Sequence, residues 1–78
     1  MYNKRLETFI CVADLGSFSK AAEALYISST AIIKQINLLE QELGLQLFER
    51  THRGISLTKA GRSIYGDAKY LIQYSRIH

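Results

Sequence analysis

The stretch from Phe18 to Leu39 leaves this chain few ways to fold. Ala21, Ala22 and Leu25 recur at helical spacing, and Ile32, Ile36, Leu39 and Leu43 carry the same period onward. Between the two runs, Leu25-Tyr-Ile is too short to be anything but a turn, and Ser28 is a good N-cap for the helix that follows. Small Ala21 and Ala22 let two helices cross closely, as the corner of a helix-turn-helix requires.

The second of these helices has an unusual far face. At about 100° per residue, Ile32, Ile36, Leu39 and Leu43 fall within about 60° of arc and form the buried row. Thr30, Ile33, Lys34, Asn37 and Gln41 point roughly the other way, with Ser29 beside them. A merely solvated face would more often carry Glu and Lys in i,i+4 pairs. A helix that reads a DNA major groove wants this mixture instead: hydrogen-bonding groups for base edges, methyls for thymine and a cation for phosphate or guanine. From this helix alone, an ordinary amphipathic helix is an equal reading.

Composition bounds the rest. Seventy-eight residues make one small domain, near the size at which a single core is only just sufficient. A hydrophobic fraction of 47% argues against disorder. No apolar run approaches the ~20 residues needed to span a bilayer, and the opening residues lack the charged-then-apolar pattern expected of a signal peptide. Cys11 has no second cysteine to pair with, which fits a reducing cytoplasm; nothing basic stands near it in sequence to make it a redox sensor.

The net charge of +3 is unevenly placed. Through residue 40, Lys4, Arg5, Lys20 and Lys34 balance Glu7, Asp14, Glu23 and Glu40. Downstream, Arg50, Arg53, Lys59, Arg62, Lys69 and Arg76 outnumber Glu42, Glu49 and Asp67, and no acid falls between Arg50 and Arg62. A polyanionic partner would feel that segment most.

In chain order, Asn3 is a candidate cap for a first helix running to about Leu15, with Leu6, Phe9, Ile10 and Ala13 as its apolar stripe. Gly16 ends it, and Ser17 caps the helix carrying Phe18, Ala21, Ala22 and Leu25 inward as core. After a stop at Gly44, Leu45, Leu47 and Phe48 suggest an extended segment. Thr51-His52-Arg53-Gly54 reads as a hairpin turn, and Ile55-Ser56-Leu57 as the return strand. The result is a two-stranded wing with Arg50, Thr51, His52 and Arg53 towards its tip, suited to an adjacent minor groove or backbone. His52 has no Cys or acidic pair at metal-ligand spacing, and no cofactor is implied.

Thr58 caps a last helix about 30 Å long. Ile64, Ala68, Leu71 and Ile72, flanked by Tyr65 and Tyr74, exceed what a small three-helix body covers, so this helix is expected to pack against its twin in a homodimer. The competing reading folds it back on its own domain. No C-cap glycine follows Leu71, and the chain is expected to be part of a longer protein.

Several stretches together resemble the N-terminal DNA-binding domain of LysR-type transcriptional regulators. They are Leu6-Glu-Thr-Phe, Gly16-Ser-Phe-Ser-Lys-Ala-Ala-Glu-Ala-Leu, Ile27-Ser28, Ala31-Ile32, Gln35-Ile36 and Leu39-Glu40. Glu42-Leu-Gly-Leu-Gln-Leu-Phe-Glu-Arg and Leu57-Thr-Lys-Ala-Gly complete the set. The resemblance implies a mainly α winged helix-turn-helix, with a three-helix core and a two-stranded β wing over residues 1–57. It implies a long dimerising linker helix over 58–78, and an effector-binding domain lying outside this sequence. A small-molecule inducer would act only through that domain, and a tetramer is open to the full-length protein.

Departures from the family pattern fall on the reading helix. Ser29-Thr30 stand where the family usually has Gln-Pro, Ile33 where it has a small polar residue, and Lys34 where it has Arg. Losing the amide at 29 removes a group suited to reading adenine, and Lys34 keeps charge without the planar fork. The operator is therefore expected to differ from the family's common one.

The expected DNA-binding residues are Ser28, Ser29, Thr30, Ile33, Lys34, Arg50, Thr51 and Arg53, and the expected dimer residues Ile64, Ala68, Leu71 and Ile72. A molybdate-responsive type of winged helix and a winged helix used only for protein contact are the rival readings. An enzyme is not expected, since the carboxylates are scattered and no Gly-rich phosphate loop occurs.

Overall fold

Helix-ending signals in the sequence fix the element boundaries. The computed structural model describes residues 4–77, with side chains described through residue 70. Its elements are α1 (Lys4–Leu15), α2 (Phe18–Leu25), α3 (Ser29–Leu43), β1 (Phe48–Thr51), β2 (Gly54–Leu57) and α4 (Lys59–Ile77). The expected Asn3 cap lies outside the described residues. Gly16, at φ 67°, closes α1, its N–H donating to the Val12 carbonyl at 2.8 Å. The Ser17 hydroxyl then accepts the Lys20 N–H at 3.2 Å and opens α2. Ser28 does the same for α3 through the Ala31 N–H at 3.1 Å. Each satisfies a backbone donor that the first helical turn leaves unpaired.

Helices α1, α2 and α3 bury Phe9, Val12, Ala21, Ala22, Ile32, Ile36 and Leu39 in one core with Leu47 and Phe48 from the approach to the wing. Each large side chain removed from water there contributes about 1.5–3 kcal/mol. Leu6, Ile10 and Ala13 are half-buried beside this core, while Thr8 and Val12 occupy positions the apolar stripe did not include. Thr8, only 2% exposed, is satisfied by donating to Gln35 Oε1 at 2.6 Å, which ties α1 to α3. Leu43 departs from expectation: it is 41% exposed, because the apolar stripe of α3 outlasts the elements packed on it.

The wing starts later than the alternation suggests. Leu45 is 41% exposed and outside any strand, and antiparallel pairing begins at Phe48↔Leu57 and ends at Thr51↔Gly54. The Leu47 N–H is instead taken by Glu40 Oε2 at 2.7 Å, and the Leu47 carbonyl accepts the Thr58 N–H at 3.0 Å. His52 and Arg53 form the loop without positive φ; Gly54, at φ 124°, takes the conformation other residues avoid.

Thr58 caps α4 through the Gly61 N–H at 2.9 Å. A Cβ on Gly61 would lie 2.2 Å from the Leu47 carbonyl oxygen, so only glycine lets this turn approach so closely. Tyr65 meets Phe9 edge-on, and its hydroxyl donates to the Asp14 carboxylate. Lys69 Nζ reaches the Tyr65 hydroxyl at 2.9 Å and Asp14 at 3.4 Å.

These contacts place two of the residues expected at the dimer seam against the body of the chain. Ala68 is buried within the chain and Ile64 packs against its core, because the face of α4 that carries them also carries the Tyr65 and Gly61 contacts with the body. The side chains of Leu71, Ile72 and Tyr74 lie outside the described residues.

Candidate nucleic-acid interface

Because the inner face of α3 is fixed by Ile32, Ile36 and Leu39, helical geometry turns Ser29, Thr30, Lys34, Asn37 and Gln41 outward, and all are exposed. Ile33 is half-buried. It borders a groove of about 330 Å³ between α3 and the wing, lined also by Phe18, Asn37, Phe48, Arg50 and Ile55. The expected reading face is thus assembled, with Ile33 at its margin rather than its crest.

The Ser28 hydroxyl is committed to the Ala31 N–H and the Ser28 carbonyl to the Ile32 N–H at 3.1 Å. The Ser29 and Thr30 N–H groups, in the same first turn, have no carbonyl of α3 four residues behind them, so they point outward with the positive end of the helix dipole.

On the wing, Arg50 shares a strand face with Phe48, and its guanidinium stands 6.0 Å from the centre of the Phe18 ring. Among the described residues, neither Arg50 nor Arg53 forms an ion pair. Glu40, which borders the same groove as Arg50, is engaged elsewhere, its carboxylate holding the Leu47 amide. Thr51 is spent on the turn, its hydroxyl accepting the Arg53 N–H at 3.2 Å and lying 3.3 Å from the Gly54 carbonyl. Its part is to shape the tip rather than to donate outward.

Sequence reasoning missed one cation. Lys20, in the first turn of α2, borders a second groove with Ser17, Ser19, Arg53 and Gly54. Its spacing from the Ser17 cap was legible, but its nearness to Arg53 depends on the wing folding over the start of α2. That contact also brings Gly54 within 3.9 Å of the Gly16 carbonyl, measured from an added Cβ.

Other chemistry finds no support among the described residues. No group of three or more His, Cys, Asp or Glu could hold a metal, and His52 stands at the wing tip apart from other ligands. Burial, with the Asp14 charge second, raises the Cys11 thiol above its ordinary value, which disfavours the thiolate. No described helix is long and apolar enough to cross a membrane.

Comparison with known proteins agrees with this geometry. Residues 3–62 match the family described as bacterial regulatory helix-turn-helix protein, lysR family. The chain is 47% identical over 74 residues to the HTH-type transcriptional regulator ClcR of Pseudomonas putida, covering 95% of this chain and 25% of ClcR. Against the HTH-type transcriptional activator AllS of Salmonella typhimurium it is 52% identical over 64 residues, or 82% of this chain and 21% of the relative. The chain therefore spans about a quarter of the length of such relatives. Among solved structures, the complex of the BenM DNA-binding domain with benA site 1 DNA superposes with a TM-score of 0.91 at 37% identity, covering 97% of this chain and 85% of that one. The CbnR DNA-binding domain in complex with DNA gives 0.87 at 40% identity, covering 96% and 86%.

Proposed function

The chain belongs to the lysR family of bacterial regulatory helix-turn-helix proteins, and from that premise we propose that it binds specific sequences in double-stranded DNA as part of a transcriptional regulator. The observation that carries this reading is the exposed row Ser29, Thr30 and Lys34 on α3, beside a groove between that helix and the wing that Arg50 lines without a carboxylate partner among the described residues. A helix about 10–12 Å across fits a major groove about 12 Å wide.

In this mechanism Ser29, Thr30, Ile33 and Lys34 enter the major groove. The hydroxyls bond base edges, Ile33 offers its methyls to thymine, and Lys34 meets guanine or phosphate. Ser28, with its side chain closing the cap, leaves the start of α3 to meet a phosphate through backbone N–H groups. Arg50 and Arg53 hold phosphates or the flanking minor groove, on a hairpin that Thr51 braces.

The whole protein acts as a homodimer, with the outer part of α4, Leu71 and Ile72 included, against its twin, which matches a two-fold protein to a paired operator. An effector-binding domain beyond this sequence receives a small-molecule inducer, and the assembly works on cytoplasmic DNA. The relatives it resembles are named as HTH-type transcriptional regulators and activators.

Selection of bound duplexes from a random pool, followed by anisotropy titration over a range of salt, tests the central claim. Affinity that falls steeply with salt and favours the selected duplex over a scrambled one supports it. Absence of any salt-dependent binding would overturn it.

A further inference from the structure

Resting on the DNA-binding reading above, we propose that Phe18 is a positioning residue for recognition: its ring aims Arg50 into the groove beside α3 without neutralising it. Three observations meet here. The Arg50 guanidinium lies 6.0 Å from the centre of the Phe18 ring, within reach of a cation–π contact. The ring is itself held edge-on by Phe48, with centroids 6.1 Å apart, and Phe48 packs at 5.4 Å on the buried Phe9. And Arg50 forms no ion pair among the described residues, though Glu40 borders the same groove.

The physical consequence follows from what a ring can and cannot do. A carboxylate would orient the guanidinium equally well, but it would cancel the charge that DNA must feel and would have to be displaced on binding. A ring quadrupole orients the cation while leaving its full charge and its donors free along the edge. Phe9, Phe48 and Phe18 thus form a series of tilted and edge-on ring contacts running from the core to the wing surface, with Arg50 at its outer end. Holding that side chain in advance lowers the ordering cost of meeting DNA. Phe18 therefore does more than fill the core.

The test is a double-mutant cycle on a fluorescein-labelled duplex recovered from the random pool, read by anisotropy well below the melting temperature of every variant. Phe18→Leu should weaken binding about two- to fivefold, the range of an exposed cation–π contact. In an Arg50→Ala background the same substitution should have no further effect, and Phe18→Tyr should retain wild-type affinity. Equal effects of Phe18→Leu with and without Arg50, or a loss in Phe18→Tyr as large as that in Phe18→Leu, would overturn the inference while leaving DNA binding intact. Failure of the unchanged chain to bind any duplex would instead remove the parent reading.

Discussion

The Glu40 carboxylate accepts the backbone N–H of Leu47 at 2.7 Å, and lies 3.4 Å from that of Phe48. One side chain near the end of α3 thereby fixes where the wing leaves the body. Leu47 has no strand partner at this point, so without Glu40 its buried N–H would be unsatisfied. Glu40→Ala should cost about 1–3 kcal/mol and lower the melting temperature by about 4–8 °C per kcal/mol. Hydrogen exchange at the Leu47 amide should accelerate more than at Ile36; equal acceleration would show that the carboxylate does not anchor the wing.

Gly61 and Gly66 lie on one helix and should respond oppositely to alanine. A Cβ at Gly61 meets the Leu47 carbonyl oxygen at 2.2 Å, whereas at Gly66 nothing lies within 4 Å. Gly61→Ala should destabilise by about 1–3 kcal/mol through overpacking against backbone. Gly66→Ala should stabilise by about 0.5–1 kcal/mol, since it removes glycine from an open helical site. Urea unfolding of the two variants decides the matter, and a shared sign would contradict the packing described.

Tyr26 closes α2 at φ 59° and ψ 39°, with 94% of its surface exposed. An L side chain in this left-handed conformation costs about 1–2 kcal/mol. Tyr26→Gly should therefore raise stability by about 1 kcal/mol despite the freedom it adds to the unfolded chain. A lowered denaturation midpoint would mean that the ring makes stabilising contacts its exposure does not suggest.

Arg53 and Ile33 separate grip from reading. Arg53→Ala should weaken binding to all duplexes and flatten the salt dependence by about one unit of slope. Ile33→Ser should leave the slope alone and redirect base preference, because it exchanges a methyl contact for a hydroxyl. Titrations on selected and scrambled duplexes distinguish them. Indistinguishable behaviour of the two variants would count against this division of labour.

Cys11 and Lys69 both hold their protons more tightly in the folded chain. Burial, then Asp14, raises the Cys11 thiol; hydrogen bonds to Tyr65, then Asp14, raise Lys69. A folded value above the unfolded one stabilises fully below the unfolded value and is lost as pH climbs through the folded one. Stability should thus decline first above about pH 8.5, where unfolded thiols ionise, and again above about pH 10.4. Cys11→Ala should remove the first decline and Lys69→Met the second in urea titrations across alkaline pH. At pH 8, iodoacetamide should modify Cys11 far more slowly in the native chain than in urea.

Local chemistry was enough to set the helices and their ends, because caps, left-handed glycines and the 3.6-residue period act over a few neighbouring residues. Ser17, Ser28, Gly16, Gly44 and Thr58 all stand where those short-range rules put them. The outward row on α3 followed for the same reason: once Ile32 and Ile36 face inward, helical geometry leaves Lys34 no choice. Relationships between distant residues were not legible in that way. Whether Leu45 or Phe48 begins the wing was decided by Glu40, five to eight residues earlier on another element. That Ala68 is covered by its own domain, and that Lys20 stands near Arg53, were decided by how close α4 and the wing come to the body. Such distances depend on the absence of one Cβ at Gly61 and on the tilted and edge-on contacts of three rings, and no periodicity records either.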